Sequence, residues 1–148
     1  MAHYTTSLRS RWTPAEAFAY MADLRNFEEW DPGVSSSELV VGPQPGPAAE
    51  YDVRVTGTTL RYRTIEFDQP RRVVVEAESK LLHSVDVIEV TPSGTGSEIR
   101  YEATLELNGI LRFADPLLRL AFDRIGDRAA NGLRDVVPGP VDTAQPTR

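Results

Sequence analysis

The chain has 148 residues, 41% of them hydrophobic, with a net charge of −6 and no cysteine. This fits one domain with enough apolar material for a core. It excludes disulfide and thiol chemistry, argues against nucleic acid as the main partner, and leaves no run near the roughly 18 apolar residues of a membrane span. The first residues, Met1 to Thr6, have neither a basic nor an apolar signal region, and with no cysteine a cytoplasmic location is the simplest reading.

In chain order, His3 to Arg11 carries β-compatible residues and predicts a first strand. Thr13-Pro14-Ala15-Glu16 is a capping box with proline at the first helical position, which starts a short helix whose apolar face is Ala15, Phe18, Met21 and Ala22. A second short helix is expected from Asp23 to Trp30, with Leu24, Phe27 and Trp30 at three-residue steps, stopped by Asp31-Pro32-Gly33. Val34 to Val41 reads as a strand. Gly42 to Pro47 holds three prolines and two glycines and must be a loop.

Strands follow in succession. Glu50 to Thr56 alternates Tyr51, Val53 and Val55 against Asp52, Arg54 and Thr56, and a tight turn at Gly57-Thr58 follows. Leu60 to Asp68 alternates as Leu60/Tyr62 and then switches phase to Ile65/Phe67, the mark of a β-bulge. Arg71 to Glu78 and Leu81 to Val90 are strands, and Pro92 to Gly96 is a hairpin turn. The last strand puts Ile99, Tyr101, Ala103, Leu105 and Leu107 on one face. A long helix then starts at Asp115-Pro116, with Asp115 as N-cap. Its apolar stripe is Leu118, Ala121, Phe122, Ile125, Ala129, Leu133 and Val136. Gly126 and Gly132 weaken it by roughly 1 kcal/mol each, a cost that makes sense if the sheet or a ligand approaches the helix backbone closely there. Pro138 ends it. The domain is expected over residues 1–138, and residues 139–148 read as a flexible tail.

Strand, two short helices, about six consecutive strands and one long helix make an α+β layer structure: an antiparallel sheet of about seven strands that curves around the C-terminal helix. This order resembles the helix-grip superfamily (SRPBCC, START-like), in its polyketide cyclase/dehydrase-like branch. So do the phrases Thr13 to Tyr20, Asp23 to Asn26, Trp30 to Gly33, Asp68 to Arg72, Asp86 to Val90, Gly94 to Gly96 and Gly109 to Leu118. The resemblance implies a cavity between sheet and C-terminal helix that takes an apolar or amphipathic small molecule. Some relatives cyclise or aromatise polyketides, some carry lipids or quinones, and some are hormone receptors.

Neither of the two histidines has a metal-ligand spacing, and no phosphate loop or nucleophile elbow is present, so no metal and no organic cofactor is expected. Asp86 shares a face with Ile88 and Val90. An inward carboxylate needs a partner or shifts its pKa upward, so it reads either as an acid/base or ligand anchor or as a structural group. Tyr51, Tyr62 and Tyr101 sit at apolar-facing positions on three strands; each reads either as a large core residue whose hydroxyl reaches water at the sheet edge or, converging with the others, as a group that would hold a ligand carbonyl or hydroxyl. With Phe122 and Ile125 from the helix they form the candidate ligand-binding set; Asp86 and Tyr62 are the catalytic candidates. His83 is out of phase with Asp86 and belongs on the outer face unless a bulge reverses it. Trp12 and Trp30 read as packing anchors, and Ser35 to Ser37 as polar surface.

Three functions remain open: binding of a hydrophobic or amphipathic small molecule, lipid- or polyketide-like; a cofactor-independent cyclase or aromatase using Asp86 or a cavity tyrosine; and an interaction module using the outer sheet face or the Gly42 to Pro47 loop. A monomer or homodimer is expected.

Overall fold

The computed structural model describes residues 1–140, the Ile110 side chain excepted. The last eight residues of the expected tail lie outside the described part. Seven strands form one antiparallel sheet: β1 (Ala2–Ser10), β2 (Val34–Val41), β3 (Glu50–Val55), β4 (Thr58–Asp68), β5 (Arg72–Glu78), β6 (Leu82–Ser93) and β7 (Gly96–Leu107). Their order across the sheet is β1-β7-β6-β5-β4-β3-β2. Strands β2 to β7 pair in sequence as hairpins, the natural result of short turns. The first strand then returns to the last, Ala2 opposite Leu105 and Ser10 opposite Ser97.

Curvature has local causes. Register shifts interrupt β2 between Val34 and Ser36 and again between Leu39 and Val41. A third falls in β4 between Thr64 and Glu66. Each extra residue bends its strand and raises its twist. The β4 bulge is the phase switch read in the sequence, but only Phe67 turns inward. It meets Phe18 edge-on at 5.2 Å, while Ile65, at the bulge itself, is exposed. The Val55/Thr58 turn has two residues, Thr56 and Gly57, both at positive φ, as a right-twisted hairpin demands.

Helix α1 (Pro14–Met21) begins as expected: Thr13 Oγ1 accepts the Glu16 backbone N–H at 3.2 Å. The next helical stretch is split. Leu24–Asn26 is a 3₁₀ turn with Asp23 as its cap, and α2 (Phe27–Trp30) is a single α turn. Together they close one end of the sheet. A second 3₁₀ segment, Gly109–Ala114, leads into α3 (Asp115–Val136). The N-cap of α3 is Ala114, not Asp115. The Asp115 carboxylate is instead drawn to the Met1 ammonium and to Arg119.

The core is the concave face of the sheet with α1, α2 and the second half of α3. Phe18, Leu24, Ile88, Ile99 and Leu133 are almost entirely buried. The expected α3 stripe is buried at Phe122, Ala129 and Leu133, partly so at Leu118 and Val136, and exposed at Ala121 and Ile125. The two α3 glycines stand at close approaches. A Cβ on Gly132 would lie 1.9 Å from the Trp30 carbonyl oxygen, and one on Gly126 would lie 2.3 Å from the Tyr4 ring.

Candidate functional site

The first half of α3 does not pack flat on the sheet. Between them lies a cavity of about 500 Å3, walled by β1, β3, β4, β6 and β7, by α3, and by Phe27 and the Asp31 to Val34 loop. Its surface is mostly apolar: Val53, Val55, Leu60, Leu82, Ala103 and Leu105 from the sheet, Leu118, Phe122 and Ile125 from the helix. Ile125 is half exposed and marks the rim.

One wall carries a polar cluster. Asp86 and Ser84 are two residues apart on β6 and so share a face. Asp86 pairs with Ala103 of β7, which makes Tyr101 its diagonal neighbour, within reach of a long side chain. The Tyr101 hydroxyl donates to Asp86 Oδ2 at 2.7 Å, and Ser84 Oγ donates to Oδ1 at 3.3 Å. Tyr62 belongs to β4, two strands from β6. Its hydroxyl still donates to Ser84 Oγ at 3.3 Å. It can do so because the residue between them in register is Ala77, opposite both Tyr62 and Ser84. A larger side chain there would stand in the line of the bond.

Burial sets the electrostatics. Asp86 is 4% exposed, and desolvation of its charged form raises its pKa to about 7. The hydrogen bonds from Tyr101 and Ser84 pull the other way, and the Asp31 carboxylate of the same cavity adds to the rise. The Tyr101 and Tyr62 hydroxyls are pushed far up, first by burial and then by the Asp86 charge, so both remain donors. Asp31 is itself raised by desolvation, although the Gly33 N–H donates to it at 2.9 Å.

Tyr62, Asp86, Tyr101, Phe122 and Ile125 all line the cavity. Tyr51 does not. It faces inward beside Tyr62 and is fully buried, but against the Asp23 to Arg25 turn, where burial and then the Asp23 carboxylate push its hydroxyl up to about 12. His83 is on the outer face, 2.9 Å from Glu76. Trp30 is a packing residue, edge-on to Tyr101 at 5.4 Å, and Trp12 lies against Tyr20 at 5.1 Å. Ser37, expected at the surface, is buried.

Among the polar lining residues that the sequence reading did not single out are Ser84, Asp31, Tyr4 and Arg128. Ser84 carried a signal, the parity it shares with Asp86. Asp31 was absorbed into a helix stop. Tyr4, whose hydroxyl donates to Asp127 at 2.9 Å, and Arg128 reach the cavity only because β1 and α3 meet at Gly126. Among the described residues, no group of three or more His, Asp or Glu is placed to hold a metal ion, and no helix is long and apolar enough to cross a membrane.

A family model described as polyketide cyclase/dehydrase and lipid transport matches residues 1–138. The chain belongs to that family. Solved structures share the helix-grip, START-like fold of this family member. One, a START superfamily protein from Mycobacterium smegmatis, is 9% identical with a TM-score of 0.72, over 93% of this chain and 97% of the other. The protein XoxI from Bacillus cereus is 19% identical with a TM-score of 0.69, over 93% and 96%. The di-domain ARO/CYC StfQ of the steffimycin biosynthetic pathway is 14% identical with a TM-score of 0.64; the match covers 92% of this chain and 50% of that one. No curated protein sequence matches the chain significantly.

Proposed function

We propose that this family member binds a hydrophobic or amphipathic small molecule, lipid- or polyketide-like, in the cavity under α3. The observation that carries the reading is a space of about 500 Å3 with apolar walls and one convergent polar cluster. That volume falls within the range of small-molecule sites, and the few polar groups fix orientation. The ligand's apolar body lies along Leu60, Leu105, Leu118 and Phe122, and its hydroxyl or carbonyl turns to Asp86 and Tyr101. Neutral Asp86 can donate a hydrogen bond as well as accept one, so both kinds of oxygen are served. The family description supports the same reading. An interaction module with no use for a cavity would have closed this space with side chains.

The test fills the cavity. Ala103, opposite Asp86, lines it. Ala103→Phe should weaken binding of the neutral fluorescent probe N-phenyl-1-naphthylamine about tenfold or more, with the thermal transition retained. Native mass spectrometry of freshly purified protein should find added mass in the wild type and less in the variant. Equal probe affinity in both would remove the cavity as the binding site.

A second reading is favoured by Asp86 itself. A buried carboxyl with a pKa of about 7 can take and return a proton near neutrality, as the folding of a poly-β-keto chain into an aromatic ring requires. Asp86→Asn should then lower turnover of an aromatic-forming poly-β-keto substrate by about 100-fold while leaving probe binding in place. An unchanged rate would take Asp86 out of the chemistry.

A further inference from the structure

The polar cluster under α3 uses its own protons internally. Tyr62 donates to Ser84, and Ser84 and Tyr101 both donate to Asp86. Each of these hydroxyls has a single proton, so none is left for a ligand. What stays open on that wall is acceptor capacity. The Tyr62 and Tyr101 oxygens keep lone pairs, and an ionised Asp86 has about four acceptor sites, of which these bonds occupy a part.

Asp31 adds to the imbalance. It lines the same cavity from the loop after α2. Its Oδ1 accepts the Gly33 N–H at 2.9 Å, and its Oδ2 has no hydrogen-bond partner among the described residues. The Asp31 charge is felt by Asp86, Tyr62 and Tyr101 alike. On the β1 side, Tyr4 gives its proton to Asp127. Arg128 is the one cation among the lining residues, and it is exposed, as are the Thr56 and Thr58 hydroxyls.

A head group held on the inner wall must therefore bring protons. A carboxylate would meet two acids and no free donor. A ketone is served only while Asp86 keeps its proton. An alcohol supplies one proton, and an alkylammonium supplies three. The ammonium charge also offsets the burial that opposes ionisation of both acids. Hydrogen bonds between charged partners are about twice as strong as neutral ones.

We propose that the cavity is a site for amphiphiles with a protonated amine head, the ammonium lying between Asp86 and Asp31 and the alkyl chain along the apolar walls. This rests on the cavity reading above and ranks the head groups within it: amine, then alcohol, then carboxylate. Asp31 sets that ranking together with Asp86.

Displacement of N-phenyl-1-naphthylamine by decylamine, 1-decanol and decanoate tests the ranking at one chain length. At pH 8 the wild type should bind decylamine about tenfold or more tighter than decanol, and decanoate more weakly than decanol. Decylamine stays protonated from pH 5 to pH 8, so its pH dependence reports on the protein. The groups that face Asp86 across the cavity are Asp31, Tyr4 from β1, Tyr62 from β4, Tyr101 from β7 and, at the rim, Arg128 from α3; burial keeps the three tyrosines protonated throughout. At pH 5 the fold holds the Asp86 proton, which the ammonium must displace. Decylamine affinity should then fall about tenfold or more, while decanol changes little. Asp31→Asn and Asp86→Asn should each reduce the amine-to-alcohol ratio at pH 8 about threefold or more, and Asp31→Asn/Asp86→Asn should abolish the preference. The ratio is read within one protein, so a general loss of cavity shape moves both ligands together and does not imitate the effect. Equal affinity for amine and alcohol in the wild type, or a preference that survives in the double variant, would overturn the proposal and leave the cavity reading standing. If none of the three ligands displaced the probe, the cavity reading would fall with it.

Discussion

Asp86→Asn should make the protein more stable above about pH 8, by on the order of 4 kcal/mol, and change it little near pH 4. The sign follows from proton counting. An unfolded chain releases the Asp86 proton near pH 4, whereas the fold holds it up to about pH 7 because burial opposes the charge. Between those values the folded state binds more protons than the unfolded one, so stability falls as pH rises. Raising the carboxyl from 3.8 to about 7 corresponds to on the order of 4 kcal/mol between its neutral and charged forms. Asparagine carries no charge at any pH and keeps an oxygen to accept the Tyr101 hydroxyl. Near pH 4 the wild-type carboxyl is neutral too, and the two side chains become near equivalents. Asp31 and the Tyr62, Ser84 and Tyr101 hydroxyls face the same space, and Asp31 is raised as well, so the variant should keep a shallower slope rather than none. Urea unfolding of both proteins across this pH range measures the difference. A variant less stable than wild type at about pH 8 would mean that Asp86 is ionised and well solvated in the fold, and the buried-acid account of the site would go with it.

The order of elements along the chain, the long helix and most of the inward residues were legible because each depends on a short-range rule, whereas the pairing of β1 with β7 spans the whole chain and was not. Alternation puts Tyr62, Asp86 and Tyr101 on the concave face, and each of them lies on the cavity wall. What alternation cannot supply is position along a curved sheet. Tyr51 has the same parity as Tyr62 and sits opposite it in register, yet it packs under the Asp23 to Arg25 turn, beyond the hollow. That outcome depends on where the bulges bend β2 and β4. Ile65 failed for a related reason, since a bulge residue belongs to neither face. Asp115 failed because a competing charge was available: the capping pattern was sound, but the Met1 ammonium, brought near by β1 pairing with β7, holds the carboxylate. The α3 stripe read as one apolar face because helical spacing groups apolar positions without saying how far round the helix the sheet reaches; Ala121 and Ile125 fall on the edge it leaves uncovered.

Gly132→Ala should cost about 2 to 3 kcal/mol of stability, although alanine is the better helix former by roughly 1 kcal/mol. The methyl carbon would be placed 1.9 Å from the Trp30 carbonyl oxygen and 2.9 Å from its carbonyl carbon. These are main-chain atoms at the end of α2, and they cannot rotate away. Relief requires α3 to move outward or α2 to shift, and α2 is tied to the sheet by Phe27 on Tyr62 at 6.2 Å and by Trp30 on Tyr101 at 5.4 Å. The strain therefore reaches the wall that holds Asp86. Gly126→Ala meets a different obstacle. There the nearest atoms belong to the Tyr4 ring, which is only partly buried and can turn aside at the cost of its hydrogen bond to Asp127. The two alanines should consequently separate in thermal unfolding, with Gly132→Ala much the more damaging. Equal losses, or a gain at Gly132, would mean that α3 crosses α2 with room to spare, and that helix propensity alone governs both positions.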